Sequence, residues 1–263
     1  MSEVLSVARD GAVARVTLTR PEVHNAFNAR LIEALHDAFV QLSSEAPEAL
    51  RAVVLAGDGA SFCAGADIAW QRSALALSMN ENEADAARLQ AMLTAIDECP
   101  APVVARVHGV ALGGGMGLCA VADIVLAVSG TTFGFTETKL GIMPAVISPF
   151  VLAKIGETHA RALFPTGERF DAERAVRIGL VHEVLPDVTA LDERVDEVVR
   201  ELLSAGPTAA RGAKAVIRDQ RGLLRADALQ LGVERAAWQR VSAEGQEGLT
   251  AFLDKRPASW RHD

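Results

Sequence analysis

The sequence has no tyrosine and only three cysteines among its 263 residues, and aromatic residues make up 5% of it. Without tyrosine, no phenol group is available as a proton donor in any reaction of this chain. Cys63, Cys99 and Cys119 are odd in number and lack metal-ligand spacing, which is typical of reduced thiols rather than of a disulfide framework. These absences indicate a reducing compartment and no metal site.

Two further absences concern membranes and nucleic acids. No apolar run reaches the length of a membrane span, and residues 1–10 lack the apolar core of a signal peptide. Basic residues are in the minority, with 26 lysines and arginines against 34 aspartates and glutamates and a formal net charge of -8. Non-specific nucleic-acid binding needs a basic surface, although a few local cations can still hold an anionic ligand. We therefore expect a cytoplasmic protein that binds neither a membrane nor nucleic acid.

Hydrophobic periodicity indicates an α/β core followed by helices. Strands and helices alternate between residues 50 and 130, which is typical of parallel crossover units. We predict an opening hairpin at 5–18, strands at 51–56, 103–107 and 123–128, helices at 31–42 and 87–98, and a glycine-rich turn running into a helix at 109–122. Residues 71–82 show no clear period and are interpreted as a mobile loop or a frayed helix.

Beyond residue 190 the predicted elements are all helical. The helices are predicted at 190–204, 207–218 and 226–252, the last open to an interruption. The chain therefore divides into an α/β core over residues 1–200 and a helical region over residues 201–263.

Two segments are rich in small residues. In residues 61–68, Ala64, Gly65 and Ala66 leave room for a ligand to approach the backbone, and an N–H at a helix start would be unpaired and face outward. Residues 109–117 contain five glycines. Each glycine costs about 1 kcal/mol relative to alanine inside a helix, so close approach of a ligand or of another helix is needed to explain them. Plain tight turns and helix packing stay open as alternatives.

Glu137 is the candidate proton carrier. It lies in a mostly uncharged, partly apolar stretch, and burial there would raise its pKa and let it exchange protons near neutral pH. The alternative is a surface carboxylate paired with Lys139 or Arg161.

Three other residues near these segments are weaker candidates. His24 and His108 have no suitably spaced acid or nucleophile, so packing or hydrogen bonding is expected of them. Cys63 is expected to be a buried, unreactive thiol.

Six segments occur together in a recognisable order. They are RPEVHNAFN at 20–28, FCAGAD at 62–67, GGG at 113–115, FGFTETKLG at 133–141, AERAVRIGLV at 172–181 and FLDKR at 252–256. On these segments the chain resembles the crotonase (enoyl-CoA hydratase/isomerase) superfamily over essentially its full length. The resemblance implies an α/β spiral of β-β-α turns and a C-terminal helical region that joins chains into homotrimers, which often pair into hexamers.

The resemblance also implies the residues of the site. The backbone N–H groups of Ala66 and Gly114 would form an oxyanion hole for the thioester oxygen of an acyl-CoA, and Glu137 would carry the proton. The residues implied in binding the substrate and its CoA part are Ala64, Asp67, Ile68, Gly117, Lys255 and Arg256. Coenzyme A would arrive as part of the substrate, so neither a separate cofactor nor a metal is expected.

One position departs from the family pattern. Hydratases of this family share the proton transfers between two glutamates, and the second of these positions is Gly117 here. A single glutamate still permits hydration, because Glu137 could orient a water molecule and relay its proton. It equally suits a double-bond isomerase, and a chain that had lost turnover would be a non-catalytic acyl-CoA-binding protein.

A finer resemblance concerns the substrate. Segments 62–70, 114–118 and 141–149 look like those of bacterial methylglutaconyl-CoA hydratases. This implies addition or removal of water across the α,β bond of a short branched enoyl-CoA, 3-methylglutaconyl-CoA or its hydrated form 3-hydroxy-3-methylglutaryl-CoA, in leucine or isovalerate metabolism. Lys139 and Arg72 are the candidate partners for the free carboxylate of such a substrate.

Overall fold

The computed structural model describes residues 4–261, and a β-hairpin opens that part of the chain. Gly11, in the turn between the paired strands, has φ +54, a backbone conformation that glycine adopts without strain. The strands are β1 (Leu5–Asp10), β2 (Val13–Leu18), β3 (Ala52–Gly57), β4 (Val103–Val107), β5 (Val110–Leu112), β6 (Ile124–Val128), β7 (Thr132–Gly134), β8 (Arg169–Phe170) and β9 (Glu183–Leu185). The predicted hairpin is confirmed.

Helices cover both faces of the strands and make up the C-terminal part. They are α1 (Ala29–Ser43), α2 (Ile68–Ala74), α3 (Met79–Asp97), α4 (Gly114–Val121), α5 (Ser148–Thr166), α6 (Ala172–Arg177), α7 (Val188–Ser204), α8 (Pro207–Asp219), α9 (Arg225–Val241) and α10 (Ala243–Leu253), with short 3-10 turns at Pro21–Val23 and Thr136–Leu140. The interruption allowed for in the last predicted helix lies at Ser242, between α9 and α10.

The strands form two sheets, and the chain passes from one sheet to the other as it winds into a spiral. The larger has the order β1-β2-β3-β4-β6-β9, antiparallel at the hairpin and parallel from β2 onward. The smaller has the order β5-β7-β8. After β4 and again after β6, the chain crosses from the larger sheet to the smaller one and then enters a helix, so β-β-α turns follow one another. The predicted α/β class is confirmed.

The interpretation of residues 71–82 as a mobile loop or frayed helix is wrong. Most of that segment is helical, since α2 runs to Ala74 and α3 already begins at Met79. Ser78 caps α3 in a reciprocal capping box with Glu81, which satisfies two backbone N–H groups at the helix start. The three buried residues of α3 all lie in its C-terminal half, which was predicted as the helix at 87–98, so its N-terminal half carries no apolar pattern that periodicity could reveal.

The core holds the two sheets and the helices that flank them. One cluster of buried side chains lies between the larger sheet and α1, α3, α4 and α5, and a second lies under α7. The predicted boundary at residue 200 falls inside α7, whose Leu191, Val195, Val198 and Val199 pack on the larger sheet. Helix α9, in contrast, buries none of its residues in this chain.

Candidate active site

Ala66 lies in a loop that is pinned on both sides by backbone hydrogen bonds. Phe27 N–H donates to the Gly65 carbonyl (2.6 Å) and Asp67 N–H donates to the Phe27 carbonyl (2.8 Å). Across residues 4–261 the Ala66 N–H itself finds no acceptor. The sequence left open that a helix begins at Ala66. Helix α2 instead begins two residues later, at Ile68, with Asp67 as its N-cap. The Ala66 N–H is therefore unpaired because of the loop conformation and not because it lies at the start of a helix.

Gly114 supplies a second free amide beside the first. It is the first residue of α4, so its N–H has no partner within the helix, and no other acceptor for it occurs in the part of the chain that the structure describes. Gly65, with φ +87, brings the two segments into contact, because a Cβ there would lie 3.3 Å from the Gly114 nitrogen and 2.7 Å from the Leu112 carbonyl oxygen. Ala66, the next residue after Gly65, and Gly114 therefore sit side by side.

Glu137 reaches the same place from the smaller sheet. Strand β7 runs into the 3-10 turn Thr136–Leu140, and a Cβ on Gly113 would lie 3.5 Å from Glu137 Oε1. Its Oε2 is buried and has no hydrogen-bond partner among the described residues. Burial raises the pKa of this carboxyl group above its ordinary value.

The surface alternative for Glu137 is wrong. Neither Lys139 nor Arg161 pairs with it, and Arg161 instead contacts Glu157, four residues earlier on the same helix, at 3.2 Å.

One cavity joins these groups. It has a volume of about 460 Å³, and Ala66, Gly114 and Glu137 all line it. Ala64 and Ile68 also line it, as the resemblance implies. Its remaining walls are largely apolar and come from α2, α3 and the segment 140–147; the residues include Trp70, Leu89, Leu140, Ile142, Met143, Val146 and Ile147. Such a space suits an acyl chain whose carbonyl oxygen points at the two amides.

A second carboxylate, Asp85, lines the cavity and was missed at the sequence level. It lies on α3 and pairs with Arg88, one helical turn further on, at 2.6 Å. The available signal was the capping box at Ser78 and Glu81, which places Asp85 on a helix. None of the residues that line the cavity is a lysine, arginine or histidine.

Gly117 does not line the cavity, contrary to its predicted binding role. It is buried in α4, and a Cβ there would lie 2.7 Å from Cγ2 of Ile147 and 3.4 Å from Cδ2 of Leu93. The space next to Gly117 is thus filled by Ile147, whose own side chain does line the cavity. A carboxylate at position 117 would need Ile147 to move.

Asp67 serves the local fold and not the cavity. Its carboxylate caps α2 by accepting the Ala69 N–H at 2.7 Å and pairs with Arg20 at 2.7 Å. Burial disfavours the charged form, but the hydrogen bond from Arg20 and the helix cap outweigh it, so the pKa of Asp67 is lowered. Arg20 also donates to the Ala26 carbonyl and so ties residues 24–28 to the Ala66 loop.

The two cations near the C-terminus lie outside this cavity. Arg256 pairs with both carboxylate oxygens of Glu247 at 2.8 Å each, and Lys255 is exposed. Lys139 and Arg72, the candidate partners for a substrate carboxylate, do not line the cavity either.

The weaker candidates have the ordinary roles expected of them. His24 Nδ1 lies 3.0 Å from Ser61 Oγ, and His108 Nε2 lies 2.9 Å from the Gly59 carbonyl oxygen. Cys63 is fully buried, which raises the pKa of its thiol to about 12 and leaves no thiolate at neutral pH.

The glycine-rich segment serves both purposes that the sequence left open. Gly113 and Gly114 border the cavity, whereas Gly109 and Gly115 allow close backbone packing. A Cβ on Gly115 would lie 2.3 Å from the Cys63 carbonyl oxygen. Helix α4 can therefore approach the Ala66 loop only because these positions lack a side chain.

Two other kinds of site are absent from residues 4–261. No group of three or more His, Cys, Asp or Glu side chains is placed to hold a metal ion there. No helix in that range is long and apolar enough to cross a membrane.

Comparison with known proteins gives one consistent family. The sequence profile described as "Enoyl-CoA hydratase/isomerase" matches residues 8–263. The chain is 31% identical over 268 residues to a crotonyl-CoA hydratase from Syntrophomonas wolfei, with 98% of both chains covered.

Solved structures agree over the whole fold. A crystal structure of an enoyl-CoA hydratase from Shewanella pealeana superposes with a TM-score of 0.93 at 35% identity, covering 98% of this chain and 96% of the other. Pseudomonas aeruginosa AtuE gives a TM-score of 0.94 at 36% identity, with 99% and 100% covered. The crotonase-type α/β fold predicted from the sequence is therefore confirmed.

Proposed function

The chain belongs to the enoyl-CoA hydratase/isomerase family, and on that premise we propose that it is a hydro-lyase which reversibly adds water to the α,β double bond of a short branched enoyl-CoA. The observation that carries the proposal is the meeting of two unpartnered backbone amides, at Ala66 and Gly114, with the buried and unpaired Oε2 of Glu137 in one cavity. A reaction that forms an enolate needs hydrogen-bond donors directed at the developing negative charge and a group that transfers protons, and this apolar cavity holds both.

The proposed reaction takes both the hydroxyl group and the proton that it adds from one water molecule. The water oxygen attacks the β-carbon, the electron pair of the double bond moves onto the thioester oxygen, and the N–H groups of Ala66 and Gly114 stabilise the resulting enolate. The ionised carboxylate of Glu137 accepts the water proton during the attack. Glu137 then returns a proton to the α-carbon on the same face, which restores the thioester and the carboxylate.

A raised pKa suits this double use of Glu137. A carboxyl group gives and takes a proton most effectively when its pKa is close to the working pH, and burial moves Glu137 in that direction. Asp85, the other acid that lines the cavity, is already engaged with Arg88. We therefore assign both proton transfers to Glu137.

For the acyl group we propose 3-methylglutaconyl-CoA, with 3-hydroxy-3-methylglutaryl-CoA as its hydrated form. The branched chain fits beside Trp70, Leu89 and Ile147. Its free carboxylate needs a cation, and Arg88, which contacts the lining residue Asp85, is the basic residue that the structure ties to the cavity wall. Replacing Arg88 by glutamine should raise KM for this substrate and leave KM for the uncharged 3-methylcrotonyl-CoA unchanged. An equal change in both KM values, or no change in either, would show that Arg88 does not hold the substrate carboxylate.

The CoA part of the substrate and the assembly belong to the same proposal. We propose that Lys255 and Arg256 approach the CoA phosphates from a neighbouring subunit of a homotrimer or a hexamer, since neither residue lines the cavity of its own chain. The exposed apolar residues of α9 and α10 support such an assembly, because large apolar surfaces are usually covered in solution.

Double-bond isomerisation is the second candidate, and the single unpaired carboxyl group favours it. An isomerase moves a proton between the α and γ carbons and needs no activated water, so Glu137 alone would suffice. Incubation with 3-hydroxy-3-methylglutaryl-CoA separates the two activities. A hydratase produces the ultraviolet absorbance of a conjugated enoyl thioester, whereas an isomerase leaves this compound unchanged and shifts the double bond of a β,γ-enoyl-CoA.

The decisive variants are two isosteric changes in the same cavity. Glu137→Gln should lower kcat by about 10²–10⁴, because general acid–base catalysis typically contributes that much. Asp85→Asn is the matched control and should keep kcat with the uncharged 3-methylcrotonyl-CoA close to that of the unmodified protein, since both proton transfers are assigned to Glu137 and Asp85 is paired with Arg88. Turnover that survives Glu137→Gln unchanged would refute the catalytic assignment of Glu137, whereas an unmodified protein that binds acyl-CoA without any turnover would be a non-catalytic acyl-CoA-binding protein.

A further inference from the structure

A second cavity lies beside strands β7 and β8 of the smaller sheet, apart from the catalytic one. It has a volume of about 550 Å³ and shares no lining residue with the catalytic cavity. Its lining residues are Gly130, Thr131, Thr132, Arg169, Phe170, Asp171, Arg174 and Arg177. Three arginines therefore surround one hollow with a single lining aspartate, in a chain whose net charge is -8.

The arginines differ in how they are held. Arg174 is fixed, because its guanidinium contacts Glu168 at 2.8 Å and lies over the Phe170 ring at 5.7 Å from the centroid. Arg169 and Arg177 form no ion pair with any residue in the range 4–261. Asp171 is occupied as the cap of α6, where its carboxylate accepts the Arg174 N–H at 2.8 Å. Two guanidinium groups thus remain available to an anion.

We propose that this cavity binds a phosphate-bearing organic anion of about nucleotide size. Arginine binds phosphate oxygens through two parallel hydrogen bonds, and two such groups can neutralise the charge of a phosphate monoester. The cavity is much larger than one phosphate, so the ligand extends beyond that group. This inference does not depend on the proposed hydratase activity.

The test is isothermal titration with the catalytic cavity saturated by a non-reactive acyl-CoA analogue. The probes are inorganic phosphate, ADP and free coenzyme A, with succinate as a dianion that lacks phosphorus. We expect ADP or coenzyme A to bind one further site per chain, and to bind more tightly than succinate. Preference for inorganic phosphate over both organic phosphates, binding of succinate as tight as that of the phosphates, or no binding at all would overturn the proposal.

Variants locate the site. Arg169→Gln combined with Arg177→Gln should weaken ADP binding at least tenfold. Arg161→Gln is the control, because this exposed arginine pairs with Glu157 elsewhere on the surface and should bind ADP normally. Neither the double variant nor the control should change kcat of the hydration reaction. ADP binding that is unaltered in the double variant would show that the cavity is not the site.

Discussion

At the scale of single residues, the proposed catalysis depends on a carboxyl group that the fold shields from water and leaves unpaired. Glu137 Oε2 has no partner in the described structure, and burial raises the pKa of the group. Such an arrangement is unfavourable for folding, because a buried charge without a counter-ion loses its hydration. We interpret this cost as a consequence of function, since the same burial makes the group a useful acid and base.

This cost predicts that removing the charge stabilises the protein. The contribution of Glu137 to stability is fully present below its unfolded pKa, about 4.3, and is lost as the pH rises through the higher pKa of the folded state. Glu137→Gln should therefore melt at a higher temperature than the unmodified protein at pH 8 and at the same temperature at pH 4. Calorimetry at both pH values measures the difference. A difference that is the same at both pH values would mean that ionisation of Glu137 is not the cause.

The absence of the second glutamate can also be tested at a single residue, Gly117. Gly117→Ala should destabilise the protein by about 1–3 kcal/mol, the usual cost of overpacking a core, because its Cβ would meet Ile147 Cγ2 at 2.7 Å. Urea unfolding measures the loss. In a protein that already carries Ile147→Ala, the same Gly117→Ala change should cost much less stability. If the losses from the two single changes simply add in the double variant, Ile147 does not fill this space.

At the scale of elements, the start of α2 holds the free amide of Ala66 in place. Arg20 and Asp67 form the ion pair that ties the loop before α1 to the loop before α2, and both side chains are 12% exposed. The cavity wall on this side, including Ile68 and Trp70, continues from that point. The ion pair is therefore a positioning contact for the site, although neither charge lines the cavity.

Asp67→Asn tests this contact because asparagine caps helices about as well as aspartate does. Loss of the charged hydrogen bond should cost about 2 kcal/mol at pH 7, measured by urea unfolding. Since the pKa of Asp67 is lowered in the folded state, its stabilisation is present above the unfolded pKa and is lost as the pH falls through the folded pKa. The difference between the two proteins should therefore shrink in acid. A difference that persists unchanged in acid would argue against the ion pair.

Helices and strands with strong hydrophobic patterns were predictable from the sequence, whereas the side-chain packing between them was not. Asn28 and the spaced apolar residues Leu31, Leu35 and Phe39 mark α1, and the structure buries those three side chains. Asp85 was not foreseen, because α3 is largely exposed along its N-terminal half and lacks a clear apolar face there. That Ile147 packs against Gly117 also could not be foreseen, since no local pattern reports which distant side chain fills a gap.

At the scale of the whole molecule, the C-terminal helices leave a surface that the chain does not cover by itself. No residue of α9 is buried, and its apolar side chains Leu229, Val233, Trp238 and Val241 are all more than half exposed. The sequence predicted helices there. Their exposure became visible only in the structure, because it depends on which other elements α9 and α10 pack against.

We expect this surface to be buried between identical chains. Analytical ultracentrifugation should show a trimer or a hexamer at micromolar concentration. Leu229→Lys combined with Val233→Lys places two charges one turn apart on α9 and should dissociate the assembly, because charged residues are costly in the core of an interface. A monomeric unmodified protein, or a variant of unchanged size, would contradict this expectation.

The proposed catalysis depends most on the N–H of Ala66, which stabilises the enolate, and an amide-to-ester replacement measures its contribution directly. Lactic acid in place of Ala66 removes that N–H, which has no structural partner, and should lower kcat by about 10²–10³ with only a small loss of melting temperature. The same replacement at Ala64, whose N–H donates to the His24 carbonyl at 2.9 Å, should lower the melting temperature more and kcat much less. A kcat that is unchanged by the ester at Ala66 would contradict the account.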